Sequence, residues 1–299
     1  MAPTSPLCCI SNTVCVMGSS TQFVSSLIIR LLEKGFTVHA AIQNHSELIS
    51  ICDKKRLKVF CLDLFDYHTI IDALKGCCCL FYSFEPPKDH SATYDEYMTE
   101  IEVRAAHNVL EACAQIDTIE KVIFTSSATA IIWGFDDKKS LSIDEKHWSD
   151  INFCRKYKLW YALSKTLAER TAWGLAMDRG INMVSINSGL LMDDDLNIKN
   201  PYLKGAKEMY ENGVLVSVDV DFLVYAHICV YEDVSSCGRY LCFNHIINTI
   251  NDAINLANNF NLSPLPSSPP SFEKDTKIIQ QRISNKKLNK IMIKKIDDI

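Results

Sequence analysis

The chain is poor in glycine, has no surplus of positive charge and contains no long apolar run. Ten glycines in 299 residues mean that any glycine-dependent ligand loop must be built from few of them. A net charge of −5 and a pI near 5.9 supply no basic face for a nucleic acid. No uninterrupted apolar stretch approaches the roughly 20 residues that span a membrane. The opening MAPTSPLCCISNT shows no basic segment followed by an apolar one, the mark of a secretory signal. The expectation is a cytoplasmic protein with neither a membrane nor a nucleic-acid partner. No pattern specifies an oligomeric state.

Cysteine, by contrast, is abundant, with thirteen in the chain. An odd number in a chain of this length does not read as a secreted disulfide framework. The triplet Cys77-Cys78-Cys79 lies in the strand-like GCCCLFYSF. Neighbouring strand residues point to opposite faces, so the three thiols cannot converge on one metal. Packing as small apolar groups is the favoured reading, and no metal site is expected. Cys8-Cys9 falls in a loose N-terminal stretch and carries no more weight.

The chain is 47% hydrophobic and 22% charged, enough to bury a large core. Strand and helix patterns alternate along its first two thirds. Strands are expected at 13–17, 36–42, 58–62, 79–83, 121–125 and 182–187. Helices are expected at 22–34, 68–75, 96–116 and 158–179. Repeated strand–helix–strand units imply an α/β fold with a doubly wound parallel sheet and right-handed crossovers. The last third is less regular, with helices expected at 202–212 and 219–231 and a strand at 239–243. A Ser/Pro-rich link at 262–270 leads to the basic KKLNKIMIKK, which reads either as a surface helix or as a frayed, solvated end.

Two segments carry chemistry. In VCVMGSSTQFVSS (Val14–Ser26) a strand ends on Gly18 and a helix begins, the place where a dinucleotide-binding fold puts its phosphate loop. In Tyr161-Ala-Leu-Ser-Lys165 the Tyr and Lys share one helix face. An ammonium beside a phenol favours the phenolate, so such a Tyr can exchange a proton with a carbonyl or alcohol. On that spacing alone a surface Tyr–Lys pair is the commoner outcome. The motif follows a strand ending in Phe124-Thr125-Ser126-Ser127-Ala128, however, and open α/β sheets bind ligands at strand C-termini.

At these residues the chain resembles the extended short-chain dehydrogenase/reductase (SDR) superfamily. The likeness is to its cinnamoyl-CoA reductase and dihydroflavonol reductase branch, and more narrowly to plant cinnamoyl-CoA reductase-like proteins. RLLEKGFTVHA (Arg30–Ala40), NVLEAC (Asn108–Cys113), KVIFTSSATA (Lys121–Ala130) and DEKHWSD (Asp144–Asp150) carry the resemblance. So do LWYALSKTLAERTAW (Leu159–Trp173), INSGLL (Ile186–Leu191), VDV with Ala226-His227, and GRYLC (Gly238–Cys242). These segments occur in the family's order over nearly the whole chain.

The resemblance implies a Rossmann domain at 10–190 and a smaller α+β substrate-binding region at 191–272, with 215–245 packing back on the Rossmann core. A basic tail at 273–299 completes the chain. It implies NADPH as cofactor and a small-molecule substrate, an aromatic thioester or a dihydroflavonol. Tyr161 becomes the general acid/base, Lys165 its activator and the holder of the cofactor ribose, and Ser127 the group that orients the substrate carbonyl. Asn108 would support them, and Asp63 would contact the adenine. The rest of the implied cofactor wall is Gly18, Ser20, Thr21, Gln22, Phe23, His39, Gln43, Leu64, Tyr82, Ser83, Ser188 and Leu190.

The chain departs from the family along that wall. The three loop glycines become Gly18, Thr21 and Val24. Val24 is expected to cost about 1–3 kcal/mol unless the helix repacks around it. His39 and Gln43 stand where the branch has basic residues for the 2′-phosphate. A charge-assisted hydrogen bond contributes about 1.5–3 kcal/mol, so losing one weakens NADPH binding roughly tenfold or more. Phe84 and Glu85 replace small residues, and Asp193–Asp195 follow Ser188-Gly-Leu-Leu-Met, a charge run expected to be a solvated loop. Two readings therefore stand. One is an NADP-dependent oxidoreductase with an eroded cofactor loop. The other is a weak or inactive member that binds a small molecule or a protein.

Overall fold

Runs such as VCVM and CLFY are apolar on both faces of a strand, and only a sheet covered by helices on both sides can accept them. The computed structural model shows that arrangement and describes residues 12–19, 21–43, 55–84, 94–134, 142–260 and 278–297. Its first half contains β1 (Thr13–Gly18), α1 (Gln22–Glu33), β2 (Thr37–Ile42), β3 (Leu57–Cys61), α2 (Tyr67–Leu74) and β4 (Cys79–Ser83). There follow α3 (Glu96–Cys113), β5 (Lys121–Ser127), α4 (Ile151–Lys156), α5 (Trp160–Arg179) and β6 (Met183–Ser188). The last third holds β7 (Leu190–Met192), α6 (Ala206–Glu211), β8 (Val216–Asp219), α7 (Val220–Glu232), β9 (Gly238–Cys242), β10 (His245–Ile246), α8 (Ile250–Asn258) and α9 (Lys286–Asp297).

Seven strands pair in parallel in the order β3-β2-β1-β4-β5-β6-β9. The chain winds one way from β1 and the other way from β4, so the switch point lies between their C-terminal ends. Helices α1, α7 and α9 cover one face, with Leu27, Ile28 and Leu31 buried beneath α1. Helices α2, α3 and α5 cover the other. The cysteine triplet divides between these layers. Cys77 joins the cluster under α2 and α3, whereas Cys78 and Cys79 join the one under α1 and α7. A small sheet, β10-β8-β7, sits beside the main one.

The structure changes three expectations. The helix expected at 202–212 is a 3-10 turn, Pro201–Leu203, followed by α6. The break is Gly205, at φ +85°, where a Cβ would come within 2.6 Å of the Trp133 ring. The helix expected to begin at 158 begins at Trp160, because Lys158 turns the chain at φ +53° after the short α4. The basic tail is a docked helix: Leu288, Ile291 and Met292 repeat at helical spacing and are buried, while Lys287 bonds the carbonyls of Cys237 and Arg239. The Ser/Pro-rich link at 262–270 and Cys8-Cys9 lie outside the described residues.

His227 of α7 ties this helix to β5. The Leu223 carbonyl, 2.8 Å from Nδ1, can only accept, so Nδ1 carries the hydrogen and Nε2 accepts from the Thr125 hydroxyl at 2.9 Å. Burial holds its pKa down at about 4, against an ordinary 6.5. The unfolded chain therefore binds a proton that the folded chain refuses between those values, and stability falls as pH drops through that window. We expect His227 alone to remove about 3 kcal/mol between neutral pH and pH near 4. Urea unfolding of the parent and of His227→Gln at both pH values checks this, and the variant should lose less on acidification.

Candidate active site

The site forms at the switch point. Gly18 ends β1 against β4, and a Cβ there would lie 2.8 Å from the Ser83 carbonyl, so only glycine permits this approach. Thr21 is the N-cap of α1, its hydroxyl accepting from the Val24 amide at 3.3 Å. Val24, the branched side chain expected to disturb this helix, is fully buried in the α1 layer. Helix α5 brings Tyr161 and Lys165 to the same place from the opposite layer, with the ammonium 5.3 Å from the phenol ring centroid.

Together these elements enclose a cavity of about 130 Å³. Its walls include Thr21, Phe23, Ser83, Tyr161, Lys165, Ser188 and Leu190, seven of the residues expected there. Asp193 also faces it, and burial, with Asp195 and Asp194 beside it, raises its carboxyl above the ordinary range. Asp194 and Asp195 are exposed, as expected of a solvated loop, whereas Asp193 is half-buried. Asp194 is engaged as well: its carboxylate accepts from the Gln22 side-chain amide nitrogen at 3.1 Å, and its backbone N–H donates to the Gln22 side-chain oxygen Oε1 at 3.1 Å. The loop after β7 is thus clasped to the first turn of α1.

Other expected residues lie elsewhere. Ser127 is buried and caps the turn after β5, its oxygen accepting from the Thr129 amide and hydroxyl at 3.2 and 3.0 Å. It is not among the cavity walls, though its own hydrogen remains to be donated. His39 sits within β2, where Nδ1 lies 2.8 Å from the Ala73 carbonyl and 3.3 Å from the Cys77 thiol, and the ring packs on Phe60. An inward strand position, not the strand end, fixes it there. Tyr82 points into the α2–α3 layer, its ring against Phe124 and its hydroxyl without a partner among the described residues.

Gln43 is exposed just beyond the end of β2. Asp63 builds a turn, accepting from the Phe65 amide at 2.8 Å, and the Leu64 carbonyl next to it accepts from Asn108 at 2.9 Å. Ser20 and Glu85 lie outside the described residues.

Two carboxylates were not anticipated. Glu102 of α3 is buried with its Oε1 2.9 Å from Lys165 Nζ, and its Oε2 accepts from Tyr94 and Ser164. Lys165 also donates to the Phe84 carbonyl at 3.0 Å. Glu169, one turn beyond Lys165, collects Ser126, Ser185, Asn187 and Arg239 beneath the strand ends. Both were visible in principle. Glu102 lies at helical spacing from the inward Ala105 and Val109, and Glu169 lies four residues after Lys165.

A model of the 3-beta hydroxysteroid dehydrogenase/isomerase family matches residues 15–183. The chain is 32% identical over 292 residues to cinnamoyl-CoA reductase 1 of Petunia hybrida, covering 93% of this chain and 86% of that protein. It is 28% identical over 250 residues to tetraketide alpha-pyrone reductase 1 of Arabidopsis thaliana, covering 78% and 77% of the two. Among solved structures, vestitone reductase from alfalfa (Medicago sativa L.) superposes with a TM-score of 0.67 at 24% identity, over 93% of this chain and 91% of that one. Yeast methylglyoxal/isovaleraldehyde reductase Gre2 complexed with NADPH gives 0.71 at 17% identity, over 94% and 92%.

Proposed function

The chain belongs to the 3-beta hydroxysteroid dehydrogenase/isomerase family, among the extended short-chain reductases, and on that premise we propose that it is an NADPH-dependent reductase of an aromatic carbonyl compound. The observation that carries this is Tyr161 and Lys165 on one face of α5, opening on the cavity at the strand C-termini. A nicotinamide cofactor supplies the hydride. Tyr161, Lys165, Ser83 and Ser188 would hold its nicotinamide half, and the bare backbone at Gly18 with the N-terminus of α1 would hold its pyrophosphate. The cavity, at about 130 Å³, is smaller than the roughly 300–1,000 Å³ typical of ligand clefts. Tyr161 would then donate its proton to the substrate oxygen.

A second cavity, of about 570 Å³, supports the aromatic substrate. Trp133, Phe153, Tyr157 and Leu159 form part of its wall, with Arg282 beside them. Trp133 stacks on Phe153 at 6.3 Å, and its indole N–H has no partner among the described residues. That leaves a flat apolar wall for an aromatic ring.

The clasp and the acidic Asp193 favour the second reading, a member with weak or no turnover, and calorimetry on one variant separates the two. Gln43→Arg, at the end of β2, is expected to tighten NADPH roughly tenfold or more while leaving NADH nearly unchanged. Equal effects on both, or none, would place the 2′-phosphate elsewhere and favour the non-catalytic reading.

A further inference from the structure

Resting on that reading, we propose that Glu102 is a positioning residue: its carboxylate holds and neutralises Lys165, so that Tyr161 works as a neutral phenol that gives a proton to a carbonyl. The geometry is specific. Lys165 and Glu102 are ion-paired at 2.9 Å with side chains 5% and 2% exposed. The Glu102 carboxylate takes three donors, Lys165, Tyr94 and Ser164. The Tyr94 ring stands edge-on to Tyr161 at 5.1 Å. An ammonium lowers the pKa of a neighbouring phenol by stabilising the phenolate. A buried carboxylate in contact with that ammonium cancels most of its field at Tyr161, because the two opposite charges act on the ring from nearly the same place.

The other ionisable groups around the pair point the same way. Tyr94 on the approach to α3, Tyr82 on β4 and Tyr202 beyond β7 are all held above the ordinary phenol range, chiefly by burial. They are neutral at physiological pH and add no compensating charge. Among the described residues Asp193 is the acid on the cavity wall, and its charge too disfavours a phenolate at Tyr161. The site is therefore arranged to keep Tyr161 protonated. A protonated phenol suits the reductive direction, in which it is the acid. The reverse oxidation of an alcohol needs the phenolate as base and is displaced to higher pH.

Removing Glu102 reverses this. With Glu102→Gln the ammonium keeps a hydrogen-bond acceptor but loses its counter-charge, and the Tyr161 phenolate becomes the nearest replacement. The test uses the protein without cofactor, so it is independent of whether NADPH binds. The ultraviolet phenolate band is titrated in the parent and in Glu102→Gln, each minus its Tyr161→Phe counterpart, so that only Tyr161 is read. We expect the Tyr161 midpoint to fall by about one pH unit or more in Glu102→Gln, about tenfold more phenolate at a given pH. Glu102→Asp, which keeps the charge, should stay near the parent.

A second comparison avoids leaving a buried charge unpaired. Glu102→Gln combined with Lys165→Met removes the pair as a unit and should leave the Tyr161 midpoint near that of the parent. A midpoint unmoved in Glu102→Gln, or raised by about a unit or more in the double variant, would overturn the proposal. A purely structural Glu102 would lower the melting temperature and leave the difference titration in place.

Discussion

Tyr161→Phe is expected to lower kcat/KM for carbonyl reduction by about 10²–10⁴-fold, the range assigned to a positioned general acid. The substitution deletes one oxygen and keeps the ring. That ring packs edge-on to Tyr94 at 5.1 Å and tilted to Tyr202 at 6.4 Å, and both contacts survive in phenylalanine. Lys165 keeps Glu102 and the Phe84 carbonyl as partners, so the cavity retains its shape and charge. Stability and NADPH affinity should thus change little while the chemical step is lost. Following NADPH consumption with an aromatic aldehyde measures the first, and calorimetry the second. Activity close to that of the parent would remove Tyr161 from the proton-transfer role. A large loss of NADPH binding would mean that the hydroxyl serves the cofactor instead.

Glu169→Ala is expected to have the largest effect on stability, a loss of about 3–5 kcal/mol. Glu169 is fully buried and accepts from the Ser126 and Ser185 hydroxyls at 2.8 and 2.6 Å, from the Asn187 amide at 2.7 Å and from Arg239 at 2.7 Å. Its removal strands the buried Arg239 cation, whose other partners are the Glu145 and His147 carbonyls and the face of Trp148. A buried pair adds little over an apolar substitute, yet breaking it leaves an uncompensated charge. In a chain of this size that corresponds to a melting temperature lower by roughly 10 °C. The effect reaches the site, because Asn187 also donates to the Ser127 carbonyl at 3.3 Å. Thermal unfolding reads the stability, and a drop under about 1 kcal/mol would show that water or Asp/Glu neighbours replace the lost partner.

Much of the fold was legible because its signals are local. Apolar runs fixed β1 and β4, Gly35 marked the end of the first helical pattern, and Tyr161-x-x-x-Lys165 needed only helical periodicity to share a face. The helix that carries Tyr161 and Lys165 and the loop at the switch point therefore lie where the sequence pattern put them. Less legible were features that depend on two distant segments meeting. Glu102 and Lys165 are far apart in sequence, and an acid on an inward helical stripe gives no hint of which cation it meets until α3 packs on α5. The same holds for Gln22 and Asp194, which touch only because β7 leads its loop back to α1. His39 shows the same limit. The resemblance puts it on the cofactor wall, but its contacts with the Ala73 carbonyl and Cys77 depend on how β2 packs on α2. The docking of α9 was hidden by its lysines, which outnumber the three apolar residues that bury.

The central claim is that a nicotinamide dinucleotide occupies the groove between Gly18 and Tyr161. Calorimetric titration of the unmodified protein with NADPH tests it most directly. Saturable binding to one site per chain, competed by NADP⁺, is the result the account predicts. No saturable heat up to millimolar NADPH or NADH would contradict it.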